Sequence, residues 1–211
     1  MGGNSANLLK SLHAGLQALG LELPPAAQEK LIAYIELLAK WNQAYNLTAV
    51  RDPGQMIARH LLDSLAILPF VRGPRVLDIG SGAGLPGIPL ALARPDLQFV
   101  LLDSNAKKTR FLVQAVAELG LKNVEVVQDR VEKYQPAAKF DTLIARAFAG
   151  IADMLSVSAS LCAPGGRWLA MKGVYPQQEL AAIPSVYQAE CRRLQVPGLD
   201  AERHVVIIAP K

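Results

Sequence analysis

Val76-Leu77-Asp78-Ile79-Gly80-Ser81-Gly82-Ala83-Gly84-Leu85-Pro86-Gly87 is the stretch on which the fold turns. Its apolar start reads as a buried strand, its alternating glycines as a turn that needs backbone conformations closed to other residues, and its end as the start of a helix. That order brings a ligand close to backbone amides at a helix N-terminus. Gly82-x-Gly84-x-x-Gly87 also satisfies the dinucleotide pattern, and Asp103, about twenty residues on, stands where an acid could grip a ribose hydroxyl.

Two cofactor classes compete for such a turn. A dinucleotide brings a doubly negative pyrophosphate to the helix N-terminus, yet Asp78 stands at the strand end beside it and Pro86 lacks an N–H where donors are wanted. S-adenosylmethionine (AdoMet) presents a cationic sulfonium and an ammonium group, for which a nearby carboxylate and a tight glycine turn are favourable. The Asp-x-Gly-x-Gly order with an acid closing the next strand therefore reads as a methyltransferase site. Two plainer readings stand beside it: the glycines could serve the turn alone, and Asp103 could cap a helix that begins near Asn105.

Working outward, the first seventy or so residues read as helices. Leu31, Tyr34, Ile35, Leu38, Trp41 and Tyr45 recur at helical spacing after Pro24-Pro25, and Ile57, Leu61, Leu65 and Leu68 do so after Asp52-Pro53, an N-cap followed by a first-turn proline. From Arg75 the pattern becomes short apolar runs separated by helical stretches: 75–79, 99–102, 124–127, 142–145 and 168–171. Such alternation argues a parallel sheet with crossover helices. Cys191 to Val196 and His204 to Ile208 flank Pro197-Gly198-Leu199-Asp200 and read as an antiparallel hairpin at one edge. The expectation is an α/β, Rossmann-like AdoMet-dependent methyltransferase fold. It comprises a mostly parallel seven-stranded sheet with a C-terminal antiparallel hairpin over 73–211, and an N-terminal helical extension over 1–72 packed on it.

Composition agrees with a packed globular protein. Of 211 residues 51% are hydrophobic and 19% charged, far from the composition of disordered chains. Apolar stretches such as Ile88 to Ala93 fall far short of the roughly 18 residues of a membrane span. The start of the chain lacks the pattern of a secretory signal, and Ala6 stands where myristoylation after Met1-Gly2 needs Ser or Thr, so a cytoplasmic location is expected. Cys162 and Cys191 are isolated, which suits a reducing compartment and argues against a disulfide framework or a structural zinc; no metal is expected. A net charge of +4 is compatible with a polyanionic partner without requiring one.

A more specific pattern runs through the chain. Leu77 to Leu90, Leu101-Leu102-Asp103-Ser104 with Lys107-Lys108-x-Arg110-Phe111-Leu112, Arg130-Val131-Glu132, Ile144-Ala145-Arg146-Ala147-Phe148 and Met171-Lys172-Gly173 together resemble the bacterial RsmG (GidB) family. Upstream, Trp41-Asn42, Tyr45-Asn46-Leu47-Thr48 and Arg59-His60-x-x-Asp63-Ser64 look like that family too, so the likeness runs in order from about residue 30 almost to the C-terminus. The resemblance implies an AdoMet-dependent methyltransferase acting on the N7 of one guanine in 16S rRNA near the decoding site, with S-adenosylhomocysteine as the other product. It implies that Gly80 and Leu85 contact the methionine and sulfonium region, Asp103 and Ser104 hold the ribose, Val131 and Glu132 flank the adenine, and Arg146 faces the reacting end. Asp78, Gly82 and Gly84 complete the expected cofactor set. Arg146 and Lys172 are the catalytic candidates, and Lys107, Lys108, Arg110, Arg130 and Phe148 the candidates for RNA contact. The partner would be 16S rRNA or the small ribosomal subunit, met by a monomer, with no membrane.

The chemistry accounts for the lack of an obvious catalytic His or carboxylate pair. Guanine N7 has an in-plane lone pair and no proton, so its methylation needs alignment rather than a general base. A donor on N7 would occupy the lone pair that must attack, so Arg146 or Lys172 is expected on O6, a phosphate or the AdoMet carboxylate. No Asn/Asp-Pro-Pro-aromatic run for exocyclic amines and no Pro-preceded nucleophilic Cys for cytosine C5 stands in place. The rivals are a small-molecule methyltransferase using the N-terminal helices as a lid, a non-catalytic RNA- or ribosome-binding module, and, more distantly, a dinucleotide oxidoreductase.

Overall fold

The computed structural model describes residues 3–146 and 148–211, so Met1-Gly2 and Ala147 of the Arg146-Ala147-Phe148 run lie outside the described residues. Its strands are β1 (Arg75–Ile79), β2 (Gln98–Asp103), β3 (Val124–Gln128), β4 (Phe140–Ala145), β5 (Cys162–Lys172), β6 (Tyr187–Leu194) and β7 (Arg203–Pro210). They form one sheet in the order β3-β2-β1-β4-β5-β7-β6. β1 to β5 pair in parallel, and β7 runs antiparallel between β5 and β6. The near-continuous burial of β1 and β4 is what central parallel strands covered on both faces require. β6, at the edge, is mostly exposed and carries Glu190, Arg192 and Arg193, charges that discourage pairing with another chain.

The helices are α1 (Gly3–Ala18), α2 (Pro25–Tyr45), α3 (Pro53–Met56), α4 (Asp63–Leu65), α5 (Gly87–Ala93), α6 (Ala106–Leu119), α7 (Ile151–Ser158) and α8 (Gln177–Ala181). One face of the sheet is covered by α5, α6 and the N-terminal helices, whose Leu12, Leu16, Leu31, Tyr34, Ile35 and Leu61 form one hydrophobic cluster with Ile88, Leu101, Phe111 and Leu112. The other face packs on α7 through Ile151, Met154 and Leu155, against Leu77, Leu102, Leu143 and Trp168. Burying an aliphatic side chain of this size is worth about 2 kcal/mol, so the first two helices are held by the shared cluster rather than by helix propensity.

The expected strands are all present, most of them a residue or two longer than their apolar runs. The hairpin differs more. Its first strand begins at Tyr187 and ends at Leu194, because Tyr187 packs edge-on against Trp168 at 5.5 Å while Val196 leaves the sheet for the helical cluster ahead of Pro197, which has no N–H to donate. The expected N-terminal starts hold: α2 begins at Pro25, and Asp52 accepts a hydrogen bond from Gly54 N at 3.0 Å ahead of Pro53. Between α3 and α4, however, Ile57–Leu62 is a π-helical turn. The Asp63 N–H reaches back five residues to Ala58, a single wide turn inside a helix of the kind often found at functional sites.

Candidate active site

The glycine turn after β1 is built from left-handed backbone. Gly80, Gly82 and Gly84 have φ of 69°, 60° and 88°, which side chains rarely tolerate. Gly80 N and Ser81 N both donate to the Leu102 carbonyl at 2.8 and 3.1 Å, so the turn is stitched to the end of β2. Gly82 N donates to Asp103 Oδ2 at 2.9 Å, and Asn105 N to Asp103 Oδ1 at 2.8 Å. Asp103 thus braces the turn, while the cap of α6 is Asn105, which accepts from Lys107 N at 2.9 Å. Gly87 is demanded by crowding: a Cβ there would collide with Leu101 and stand 2.7 Å from Asp78 Oδ2. Its bare backbone N donates instead to that oxygen at 2.9 Å. Asp78 is fully buried, its Oδ1 has no partner among the described residues, and burial pushes its carboxyl up to about 7 against the opposing pull of the Gly87 hydrogen bond and the Arg146 charge. From the helical layer, Tyr34 donates to the Ala83 carbonyl at 2.6 Å. Nothing in the sequence signalled that tie, because Tyr34 sits on the stripe that reads as core.

Beyond the carboxyl ends of β1 and β2 opens a cleft of about 340 Å3, within the range of small-ligand sites. Gly80, Asp103, Ser104, Arg130, Val131, Glu132 and Phe148 line it, with Asp129, whose Oδ1 accepts from Arg130 N at 2.8 Å. The turn's other expected residues stand behind it. Gly82 and Gly84 shape the loop, Asp78 is enclosed, and Leu85 turns its side chain into the cluster beneath the helices. Phe148, expected on the RNA, packs half-buried between the cleft and the core around α7. Lys107 and Arg110 are exposed on α6, and Lys108 Nζ lies 3.9 Å from Asp103 Oδ2.

Arg146 and Lys172 line a neighbouring cleft of about 350 Å3, together with Arg59, His60, Asp63, Gly173 and Arg203. Asp63, its side chain 5% exposed, accepts from Arg203 Nε at 2.9 Å and lies 3.7 Å from Arg146. Burial still holds its carboxyl above the usual range, against the pull of Arg203 and Arg146. Lys172 pairs with Glu179 at 2.8 Å and donates to the Phe148 carbonyl at 3.3 Å, which joins the two clefts. His60 Nε2 lies 2.9 Å from Thr48 Oγ1, and burial, with the charges of Arg146 and Arg59 adding to it, holds the ring down to about 4, so it is neutral at neutral pH. Arg59-His60-x-x-Asp63 was visible in the sequence as part of the family pattern; Glu179 carried no signal at all.

The carboxyl-lined cleft fits AdoMet. A Cβ on Gly80 would meet nothing within 4 Å among the described residues, leaving open room for a ligand over the backbone, and Asp103 offers an acceptor for ribose hydroxyls. The strand order, the glycine turn and the acid ending the second strand define a Rossmann-like fold of the AdoMet-dependent methyltransferases. The fold is shared with a SAM-dependent methyltransferase from Aquifex aeolicus (TM-score 0.60, 19% identity, covering 81% of this chain and 97% of that one). It is shared too with the O-methyltransferase TomG from Streptomyces achromogenes, solved in complex with SAM (TM-score 0.58, 17% identity, covering 84% and 89%). The chain belongs to the GidB family, rRNA small subunit methyltransferase G, whose model matches residues 27–206. It is 55% identical over 201 residues to the ribosomal RNA small subunit methyltransferase G of Laribacter hongkongensis, covering 95% of this chain and 97% of the relative.

Proposed function

We propose that this chain methylates the N7 of one guanine in 16S rRNA, near the decoding site, using AdoMet, and that it works as a monomer in the cytoplasm on rRNA or the small subunit. The observation that carries this reading is the pairing of two adjoining clefts of opposite net character: one lined by Asp103, Asp129 and Glu132 against Arg130, the other by Arg59, Arg146, Lys172 and Arg203 against Asp63. An acidic cleft suits a cofactor carrying a sulfonium and an ammonium, and a basic one suits a nucleic acid.

Asp103 and Ser104 would hold the ribose, Val131 and Glu132 the adenine side, and Gly80 the methionine portion. Bound there, AdoMet supplies an electrophilic methyl group. The chain's task is then to present guanine N7 in line with it and to keep that lone pair free, with no proton to remove. Arg146, steadied by Asp63, and Lys172, steadied by Glu179, would then contact O6 or a phosphate and leave N7 free.

Methyl transfer from methyl-tritiated AdoMet into small subunits and protein-free rRNA from cells lacking the protein, followed by nucleoside analysis, tests the reading. Label in 7-methylguanosine is the expected result, and the better substrate identifies the assembly state. Label in another nucleoside would discard N7, and no label in either RNA with AdoMet binding intact would discard rRNA as substrate.

A further inference from the structure

Four cations, Arg59, Arg146, Lys172 and Arg203, meet at the cleft beside the π-helical turn, and two carboxylates, Asp63 and Glu179, answer them, leaving two positive charges over. His60, kept neutral by burial, adds none. Arg59 is exposed, whereas Arg146 and Arg203 are only 29% and 26% exposed, held side by side by one buried acid. An open cleft with excess guanidinium charge suits phosphodiesters, which carry one negative charge each. At its rim the polar character breaks. Val174 and Tyr175 are 73% and 54% exposed, directly after the lining residue Gly173, and the Tyr175 ring stands edge-on to His204 at 5.7 Å. A bare aromatic beside a basic cleft is the arrangement on which single-stranded bases stack.

We propose that this cleft binds the RNA strand that carries the target: phosphates flanking the methylated nucleotide sit on Arg59 and Arg203, and an unpaired neighbouring base stacks on Tyr175. The inference rests on the rRNA reading above and deepens it, because it moves the main RNA contact from α6 to the junction of the N-terminal helices with the ends of β5 and β7. Asp63 is a positioning residue in this scheme, fixing Arg146 towards the cofactor cleft and Arg203 towards the strand.

The test is binding of a short single-stranded RNA of mixed sequence, measured by fluorescence anisotropy across a salt series with S-adenosylhomocysteine present, alongside calorimetric titration of AdoMet. Tyr175→Ala should weaken RNA binding about tenfold with an unchanged salt dependence. Arg59→Gln should flatten the slope of log affinity against log salt by about 0.7, and Arg59→Lys should restore it. AdoMet affinity should stay at the wild-type value in all three, which separates a lost contact from a damaged fold. Wild-type affinity and slope in Tyr175→Ala and Arg59→Gln, with the loss appearing instead in a Lys107→Gln/Lys108→Gln variant, would overturn the assignment. Failure of the rRNA reading would show separately, as a wild-type protein that labels no RNA.

Discussion

The two clefts flanking the end of β4 are similar in size and opposite in construction. The cofactor cleft is nearly local: Gly80, Asp103 with Ser104, and Arg130 to Glu132 each stand at or just past the end of a strand, and the glycine turn ties the first two through the Leu102 and Asp103 hydrogen bonds. The cationic cleft is assembled from residues 59–63, 146, 172–173 and 203, and no two of its four cations share an element. Its charges also differ in kind. The first cleft presents acceptors, two of them, Asp103 and Asp129, braced by backbone N–H groups; the second presents donors steadied by the buried Asp63 and the half-buried Glu179. Opposite ligands, a cationic cofactor and an anionic strand, can thus meet at one place without competing for the same groups.

Perturbing each cleft alone sharpens this contrast, and the largest effect is expected in the glycine turn. Gly87→Val drives a side chain into Leu101 and Asp78, and should cost about 3 kcal/mol of stability or more, read as a lowered midpoint in urea unfolding, with AdoMet binding lost. A variant as stable as the wild type would mean that α5 can retreat from β1.

His60 comes next. Its pKa is near 4 in the folded protein against an ordinary 6.5, so the unfolded chain takes up the proton first as the pH falls. The stability that depends on the neutral ring is complete above pH 6.5 and is lost as the pH drops to 4, up to about 3 kcal/mol. Unfolding free energies of wild type and His60→Gln, compared across that window, should converge by this amount on acidification. Parallel curves would show that the ring titrates alike in the folded and unfolded chains, so that burial does not hold it neutral.

The smallest effect is expected at Asp78. With its carboxyl pushed up to about 7, a cationic cofactor favours the ionised form, so AdoMet affinity should rise severalfold as the pH climbs through that value. Asp78→Asn keeps an oxygen for Gly87 N and should remove this rise, as measured by calorimetry. An unchanged pH dependence would assign it to another group.

The difference between the clefts also marks what is legible in the sequence alone. Strand ends, the Asp52-Pro53 start and the glycine turn were legible because each is specified within a few residues of chain. The hairpin boundary was not, since Val196 is as apolar as a strand residue and only its burial among the helices removes it from the sheet. Nor was the π-helical turn, because six residues are too few to separate its period from that of an α-helix. Leu85 was assigned to the cofactor by resemblance and Phe148 to the RNA as the nearest aromatic; the Leu85 side chain packs into the core and Phe148 lies half-buried at the cleft wall, directions that position along a motif does not reveal.

By itself the sequence determined the alternation of strands and helices, the backbone of the cofactor turn and the family, all properties of neighbouring residues or of an ordered series of motifs. Only the tertiary structure decided that Tyr34 holds the turn from the helical layer, that Asp63 joins Arg146 to an Arg203 lying 140 residues along the chain from it, and that the basic groups beside the cofactor differ from those on α6. The reason is physical: a charge is steadied by whatever packing brings within a few ångströms of it, and sequence separation does not enter Coulomb's law.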